Sequence, residues 1–328
     1  MNTHIVLASG AIHLKDSFEK MGYKTYTSEM NYDSKRIFPN TDIYSRIANI
    51  QELQNQNVLL IQNGTCSSEA EKEFFTTSDR LIETLQLADL LRNPVEVEEI
   101  GHKKYKATPL SPVKSIDVLY TFFPYAIQDK AFKTGEVISG RLALDLTLTR
   151  ADKVHAIDPH YPLDIDWVSD AINKQKLNVL SLSEHLIKFA AKVFDFDEYM
   201  VVGPDEGAQA RFGVESFSKS RTDSFTVEVS GDFDVKGKNI IVIDDFTKSG
   251  STLIKAKKRL IDEGAKKVGL AVTHVLPLLD KREELLRKLI EKAEELIVTT
   301  NTIYTRSFAV EHPELVMDIA KAISEQFK

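Results

Sequence analysis

Residues 240–252 read IIVIDDFTKSGST. Four apolar residues end in two adjacent carboxylates, Asp244 and Asp245, and residues 239–243 are predicted to form a buried strand. A polar turn follows, built from Thr247, Lys248, Ser249, Gly250, Ser251 and Thr252, and a helix is predicted from about 252 to 262. Strand, loop and helix in that order make one step of a parallel α/β sheet. Hydroxyls and backbone N–H groups gathered at a helix N-terminus suit a phosphate. Gly250 permits a turn that a bulky residue would resist. The two carboxylates repel a phosphate but accept hydrogen bonds well from a sugar diol. Diol acceptors and phosphate donors on one short loop describe a site for a pentose phosphate. Each half alone also fits a plain βα turn with Ser and Thr as helix caps. The segment is not a P-loop, because the nearest glycine-lysine pair, Gly237-Lys238, precedes the strand and is followed by Asn239.

Working outward, the same alternation recurs. Apolar runs predict strands at residues 4–7, 57–61, 117–123, 153–157, 198–202, 267–274 and 296–299. Helical spacing predicts helices at 82–91, 137–149, 282–295 and 313–327, and Gly264 stands where a helix-ending glycine belongs. The expected fold class is α/β, with two domains, each a mainly parallel sheet flanked by helices. The expected division is 1–155 and 156–312, with the closing helix 313–328 packing back on the first domain. Residues 93–115 mix charge, Pro and Gly and read as a surface insertion, in the form of a small hairpin.

Composition narrows the function. The chain has 328 residues, 42% apolar and 28% charged, which excludes a disordered or collagen-like chain. Its 42 basic and 49 acidic side chains give a net charge of −7, which argues against a general nucleic-acid binder. A single cysteine, Cys66, excludes an intrachain disulfide and a cysteine-rich zinc module. No apolar stretch is long enough to span a bilayer, and the start MNTHIVLASG lacks the pattern of a secretory signal. A cytoplasmic protein acting on small molecules is expected, with neither nucleic acid nor membrane as partner.

VIDDFTKSGST resembles the phosphoribosyl-pyrophosphate (PRPP) binding motif shared by type I phosphoribosyltransferases and PRPP synthases. Five further segments, in order, resemble the second group. RIFPNTDIYSRI (36–47) is similar to R-F-P-D-G-E-x-Y-x-R-I, and FFPYAIQDKAFKTGEVISGRLAL (122–144) to Y-A-R-Q-D-…-G-E-P-I-S-A-R. DPH (158–160), VVGPDEGAQAR (201–211) and FSKSR (217–221) are similar to the family's metal, pyrophosphate and catalytic-loop segments. The chain thus resembles the ribose-phosphate pyrophosphokinase (PRPP synthase) family, in an archaeal-like form. The resemblance implies two tandem phosphoribosyltransferase-like domains and transfer of a diphosphoryl group from ATP to O1 of ribose 5-phosphate, giving PRPP and AMP.

It also implies roles. Ribose 5-phosphate would be held by Asp244, Asp245, Thr247, Lys248, Ser249, Gly250, Ser251 and Thr252. The pyrophosphate loop would be Gly203, Pro204, Asp205, Glu206 and Gly207. ATP would meet Phe38, Asn40, Asp42, Gln128, Asp129 and His160. Mg²⁺ would be held by His160 and Asp205, and Lys219, Arg221 and His160 would be catalytic. A homo-oligomer, a dimer or a multiple of dimers, is implied because the family borrows the Phe-containing loop from a neighbouring subunit. The chain departs from the family pattern at Asn40, where an aspartate is usual, at Asp42 in place of glutamate, and at Ile127, where the family has arginine. Two other readings stay open: a catalytically weakened regulatory homologue, and a phosphoribosyltransferase that consumes PRPP. His274 and Cys66 are expected to be structural.

Overall fold

The computed structural model describes residues 3–204, 215–216, 218–221, 227–230, 234–279 and 283–327, the side chains of 215–230 excepted. The chain forms two compact units. One contains Met1–Ser67, Glu71–Leu180 and Ala320–Lys328, and the other Ser68–Ala70 and Ser181–Ile319.

The first unit is built on six parallel strands in the order β2-β1-β3-β6-β7-β8. They are β1 (Thr3–Leu7), β2 (Thr25–Thr27), β3 (Asn57–Asn63), β6 (Ser115–Phe122), β7 (Lys153–Ile157) and β8 (Leu177–Leu180). The registers Ile5↔Leu59, Leu59↔Asp117 and Asp117↔Lys153 align the strand cores. Continuous apolar runs such as VLLI in β3 and VLYTF in β6 are what a sheet covered on both faces requires. The covering helices are α1 (Lys15–Lys20), α2 (Thr77–Arg92), α3 (Ser139–Leu148) and α4 (Asp166–Asn173). Helix α2 starts five residues earlier than the apolar spacing predicts. Thr76 and Asp79 form a reciprocal capping box there, with Asp79 N–H on Thr76 Oγ1 at 3.2 Å and Thr76 N–H on Asp79 Oδ2 at 2.7 Å. The insertion is an antiparallel hairpin of β4 (Val95–Gly101) and β5 (Lys104–Pro109), exposed along its length.

The second unit has the parallel order β10-β9-β13-β14-β15-β16. Its strands are β9 (Met200–Gly203), β10 (Glu215–Ser216), β13 (Asn239–Thr247), β14 (Lys267–Val275), β15 (Ile297–Thr300) and β16 (Val316–Met317). A separate antiparallel pair comprises β11 (Ser218–Arg221) and β12 (Val227–Ser230). Helices α5 (Ser183–Phe194), α6 (Ser251–Asp262) and α7 (Glu284–Lys292) belong to this unit. The core is Ile240 and Val242 from β13, Leu270 and Val272 from β14, and Leu253, Leu260, Leu286 and Leu289 from the helices. Gly264 closes α6 with φ +95°, a left-handed conformation that glycine adopts freely.

Two sequence expectations are corrected. The division falls at Leu180/Ser181 and not at 155/156. The reason is hydrogen bonding: β7 pairs with both β6 and β8, so β7, α4 and β8 complete the first sheet. The closing helix is also shorter than 313–328. Pro313–Leu315 is a 3-10 turn, and β16 pairs in parallel with β15 through Thr299↔Val316. Only Ala320–Gln326 is helical (α8), and it packs on α1 in the first unit.

Candidate functional site

The predicted residues fall in both units. In the second unit they collect at the carboxyl ends of parallel strands, the edge where such sheets place their ligands. Strand β13 runs through Thr247, so both aspartates lie within the strand and not beyond it, as the sequence suggested. Successive strand residues face opposite sides of a sheet. Asp245 is accordingly buried, at 2% exposure, while Asp244 is half-buried and its carboxylate accepts the Asp245 N–H at 3.0 Å. Asp244 is thus the more accessible carboxylate of the pair.

The turn after the strand is held from within. Thr247 Oγ1 accepts the Gly250 N–H at 2.8 Å, and Leu276 N–H bonds Thr247 O at 2.9 Å. Gly250 has φ +70° and serves as the N-cap of α6. Among the described residues no side chain caps that helix, and no acidic residue stands in its first turn. Its first N–H groups are therefore donors without intrahelical partners, at the positive end of the helix dipole. Ser249, Ser251 and Thr252 are exposed beside them, with Ser249 Oγ 3.3 Å from Ser251 Oγ. Lys248 Nζ lies 5.9 Å from the centre of the Phe246 ring. The turn can receive a phosphate without first breaking a cap.

Helix α7 backs this turn. A Cβ placed on Gly250 would run into Leu289 of α7. The helix is anchored by Glu283, a buried carboxylate that sequence reasoning missed. It accepts the N–H groups of Glu69 at 2.9 Å, Arg306 at 3.0 Å and Ser307 at 2.6 Å. Arg287 of α7 adds ion pairs to Glu69 at 2.9 Å and Glu311 at 3.0 Å. No local pattern could have revealed this, because the partners are up to 214 residues away in sequence.

Gly203 and Pro204 follow at the end of β9 and are buried. Asp205, Glu206 and Gly207 lie outside the described residues. Lys219 and Arg221 fall on β11, paired with Val229 and Val227, and their side chains lie outside the described atoms. His274 is buried with Nδ1 2.8 Å from Thr302 Oγ1, a structural setting.

In the first unit, Gln128, Asp129 and His160 lie on the loops after β6 and β7, two adjacent strands. Each loop contains a residue in the left-handed region, Tyr125 at φ +57° and Asp158 at φ +33°, a conformation that a non-glycine residue holds only under restraint. Gln128 Oε1 accepts the Ser139 hydroxyl at 2.6 Å, and Trp167 Nε1 donates to Asp129 O at 2.9 Å. Phe38, Asn40 and Asp42 sit on a tight turn. Asn40 Nδ2 donates to Asp42 Oδ2 at 2.7 Å, and the half-buried Phe38 ring meets Tyr44 edge-on at 5.8 Å. Ile127 is 40% exposed and provides no charge.

Tyr161 follows His160. It is fully buried, its hydroxyl makes no hydrogen bond among the described residues, and burial pushes its phenol well above the usual range. A buried donor without a partner is destabilising. Tyr161→Phe is therefore expected to stabilise the protein by about 1 kcal/mol. A higher urea midpoint at unchanged m would show it, and an equal or lower midpoint would contradict it.

Near the end of β3, burial raises the Cys66 thiol, which argues against a nucleophile at this position. Among the described residues, no group of three or more His, Cys, Asp or Glu is arranged to hold a metal ion. Among the described helices, none is long and apolar enough to cross a membrane.

Similarity to known proteins agrees with this geometry. The model of the phosphoribosyl transferase domain matches residues 212–301. A ribose-phosphate pyrophosphokinase of Pyrococcus furiosus is 29% identical over 311 residues, covering 92% of this chain and 94% of its own. One from Thermococcus kodakarensis is 28% identical with the same coverage. The chain is thus similar over nearly its whole length to ribose-phosphate pyrophosphokinases. The crystal structure of a phosphoribosylpyrophosphate synthetase from Mycobacterium smegmatis superposes with a TM-score of 0.70 at 23% identity, covering 99% of this chain and 97% of that one. The chain therefore shares the fold of that synthetase.

Proposed function

We propose that the chain is a ribose-phosphate diphosphokinase, forming PRPP and AMP from ribose 5-phosphate and ATP in the cytoplasm. The observation that carries this reading is the end of β13: a carboxylate pair followed at once by an uncapped helix N-terminus lined with hydroxyls. Asp244, the accessible member of the pair, accepts hydrogen bonds from the pentose hydroxyls, with Asp245 buried behind it. The N–H groups and hydroxyls of 249–252, with Lys248, hold the 5-phosphate. O1 then attacks the β-phosphorus of ATP, the bond from β-phosphorus to the bridging oxygen breaks, AMP leaves with that oxygen, and the O1 proton passes to solvent.

The remaining roles follow the resemblance. Phe38, Asn40, Asp42, Gln128, Asp129 and His160 hold ATP. The pyrophosphate loop, Gly203 to Gly207, receives the transferred group. Lys219 and Arg221 meet the charge that grows on the phosphoryl oxygens. His160 and Asp205 would hold Mg²⁺, which neutralises phosphate charge when bound. A homo-oligomer, a dimer or a multiple of dimers, is part of the proposal.

The test is direct: incubate the protein with ribose 5-phosphate, ATP and Mg²⁺ and measure AMP and PRPP. Lys219→Ala is expected to lower kcat about 100-fold or more. AMP formation no greater than in that variant would remove the proposal. Ile127 and the Asn40–Asp42 turn favour one second reading, a weakened homologue that regulates active subunits. Tight ribose 5-phosphate binding without turnover would be its mark. A phosphoribosyltransferase would instead release pyrophosphate from PRPP and a nucleobase. It leaves the complete first unit without a role.

A further inference from the structure

The loops after β6 and β7 are joined by a group that the resemblance does not assign. Trp167, the only tryptophan, lies at the start of α4. Its indole N–H donates to the main-chain oxygen of Asp129 at 2.9 Å. Its ring packs against Tyr161, beside His160, with centroids 5.1 Å apart at 60°. Tyr161 in turn packs on Phe123, at the root of the other loop, at 5.5 Å and 89°. The β6 loop is tight here: Gln128 N–H bonds Tyr125 O at 2.9 Å and Gly140 N–H bonds Gln128 O at 3.1 Å. A Cβ on Gly140 would stand 3.3 Å from Tyr125 O and 3.6 Å from the indole. The indole, the β6 loop and Tyr161, the neighbour of His160, thus form one packed group.

We propose that Trp167 is a positioning residue for the nucleoside triphosphate, fixing Gln128, Asp129 and His160 in register with one another. Two left-handed residues, Tyr125 and Asp158, lie in these loops, and such conformations persist only when the surroundings over-determine them. The aromatic chain and the indole hydrogen bond provide that restraint. Ile127 offers no cation to order the nucleotide by charge, so geometric order carries more of the specificity. Trp167 needs no contact with the nucleotide to do this.

The inference rests on the proposed function, and the experiment separates the two. Steady-state kinetics are measured on the full chain and on Trp167→Phe, which keeps an aromatic ring and removes the N–H. The KM for ATP is expected to rise about 5- to 10-fold, the value of one hydrogen bond. kcat and the KM for ribose 5-phosphate stay within about twofold, and the thermal midpoint falls by no more than a few degrees. A rise in both KM values with a larger fall in the midpoint would mean a merely structural role and overturn the inference, as would an unchanged KM for ATP. If the natural chain forms no AMP, the proposed function fails instead. Should the variant not fold, the natural chain decides. Acrylamide quenching of its single tryptophan is expected to weaken with saturating Mg²⁺-ATP and not with ribose 5-phosphate alone. Quenching unaffected by ATP would overturn the inference.

Discussion

Gly250→Ala is expected to abolish most ribose 5-phosphate binding, and Leu289→Ala is expected to restore part of it. At φ +70° a residue with a Cβ costs about 1–2 kcal/mol. The added carbon also meets Leu289, which is fully buried, and overpacking of this kind costs about 1–3 kcal/mol. The turn can avoid that cost only by shifting, which moves the N–H groups of α6 out of the proposed phosphate site. Calorimetry should show ribose 5-phosphate affinity lower by roughly 30-fold or more. Leu289→Ala alone leaves a cavity and lowers stability by about 2–5 kcal/mol. In the double variant the new Cβ has room and fills part of that cavity. The two changes should therefore be less damaging together than their sum, by about 1–3 kcal/mol. Strict additivity, or unchanged affinity in Gly250→Ala, would show that α7 does not set the turn.

Arg80→Ala is expected to be the most damaging change in the first unit. Arg80 is a fully buried guanidinium on α2. It pairs with Glu71, bonds Ser9 Oγ, donates to Ser67 Oγ at 2.9 Å, and lies 4.4 Å over the Phe75 ring. Glu83, also buried, joins the same group. It accepts the Ser9 N–H at 3.1 Å and Gln62 Nε2 at 2.8 Å, and Gln62 Oε1 receives the Gly10 N–H at 3.0 Å. Arg80 thus pairs directly with Glu71 and is linked to Glu83 through Ser9, at the carboxyl ends of β1 and β3. Removing it leaves buried negative charge uncompensated, at a cost of about 3–5 kcal/mol. The thermal midpoint of this unit should fall on the order of 10 °C. A change below about 1 kcal/mol in urea unfolding would show that the group is better hydrated than its burial indicates. Arg80→Lys should recover little, because an ammonium cannot reach Ser9, Ser67 and Glu71 from one fork.

Neither residue could be singled out from the sequence, for different reasons. Gly250 was legible as a turn glycine, but its wall, Leu289, lies 39 positions later on another helix. Arg80 and Glu83 sit among the apolar positions of α2 and look like ordinary charges on a solvated face. Their burial is a property of the loops folded over them. Trp167 was invisible because α4 itself was not predicted: the approach DPHYPLDI carries two prolines and no helical spacing, the helix is only eight residues long, and β8 has only four residues. That same gap misplaced the domain division at 155/156.

The alternation of strand and helix was determined by the chain alone, because strands covered on both faces must be apolar end to end, and that periodicity is local. The turn at 247–252, the proposed phosphate site, was local too, since its glycine, hydroxyls and helix start are consecutive. What tertiary structure decided was which of two neighbouring aspartates stays accessible, which buried charges are compensated, and what holds each loop still. Those depend on partners tens to hundreds of residues away, whose meeting is a consequence of packing and is written in no short stretch of sequence.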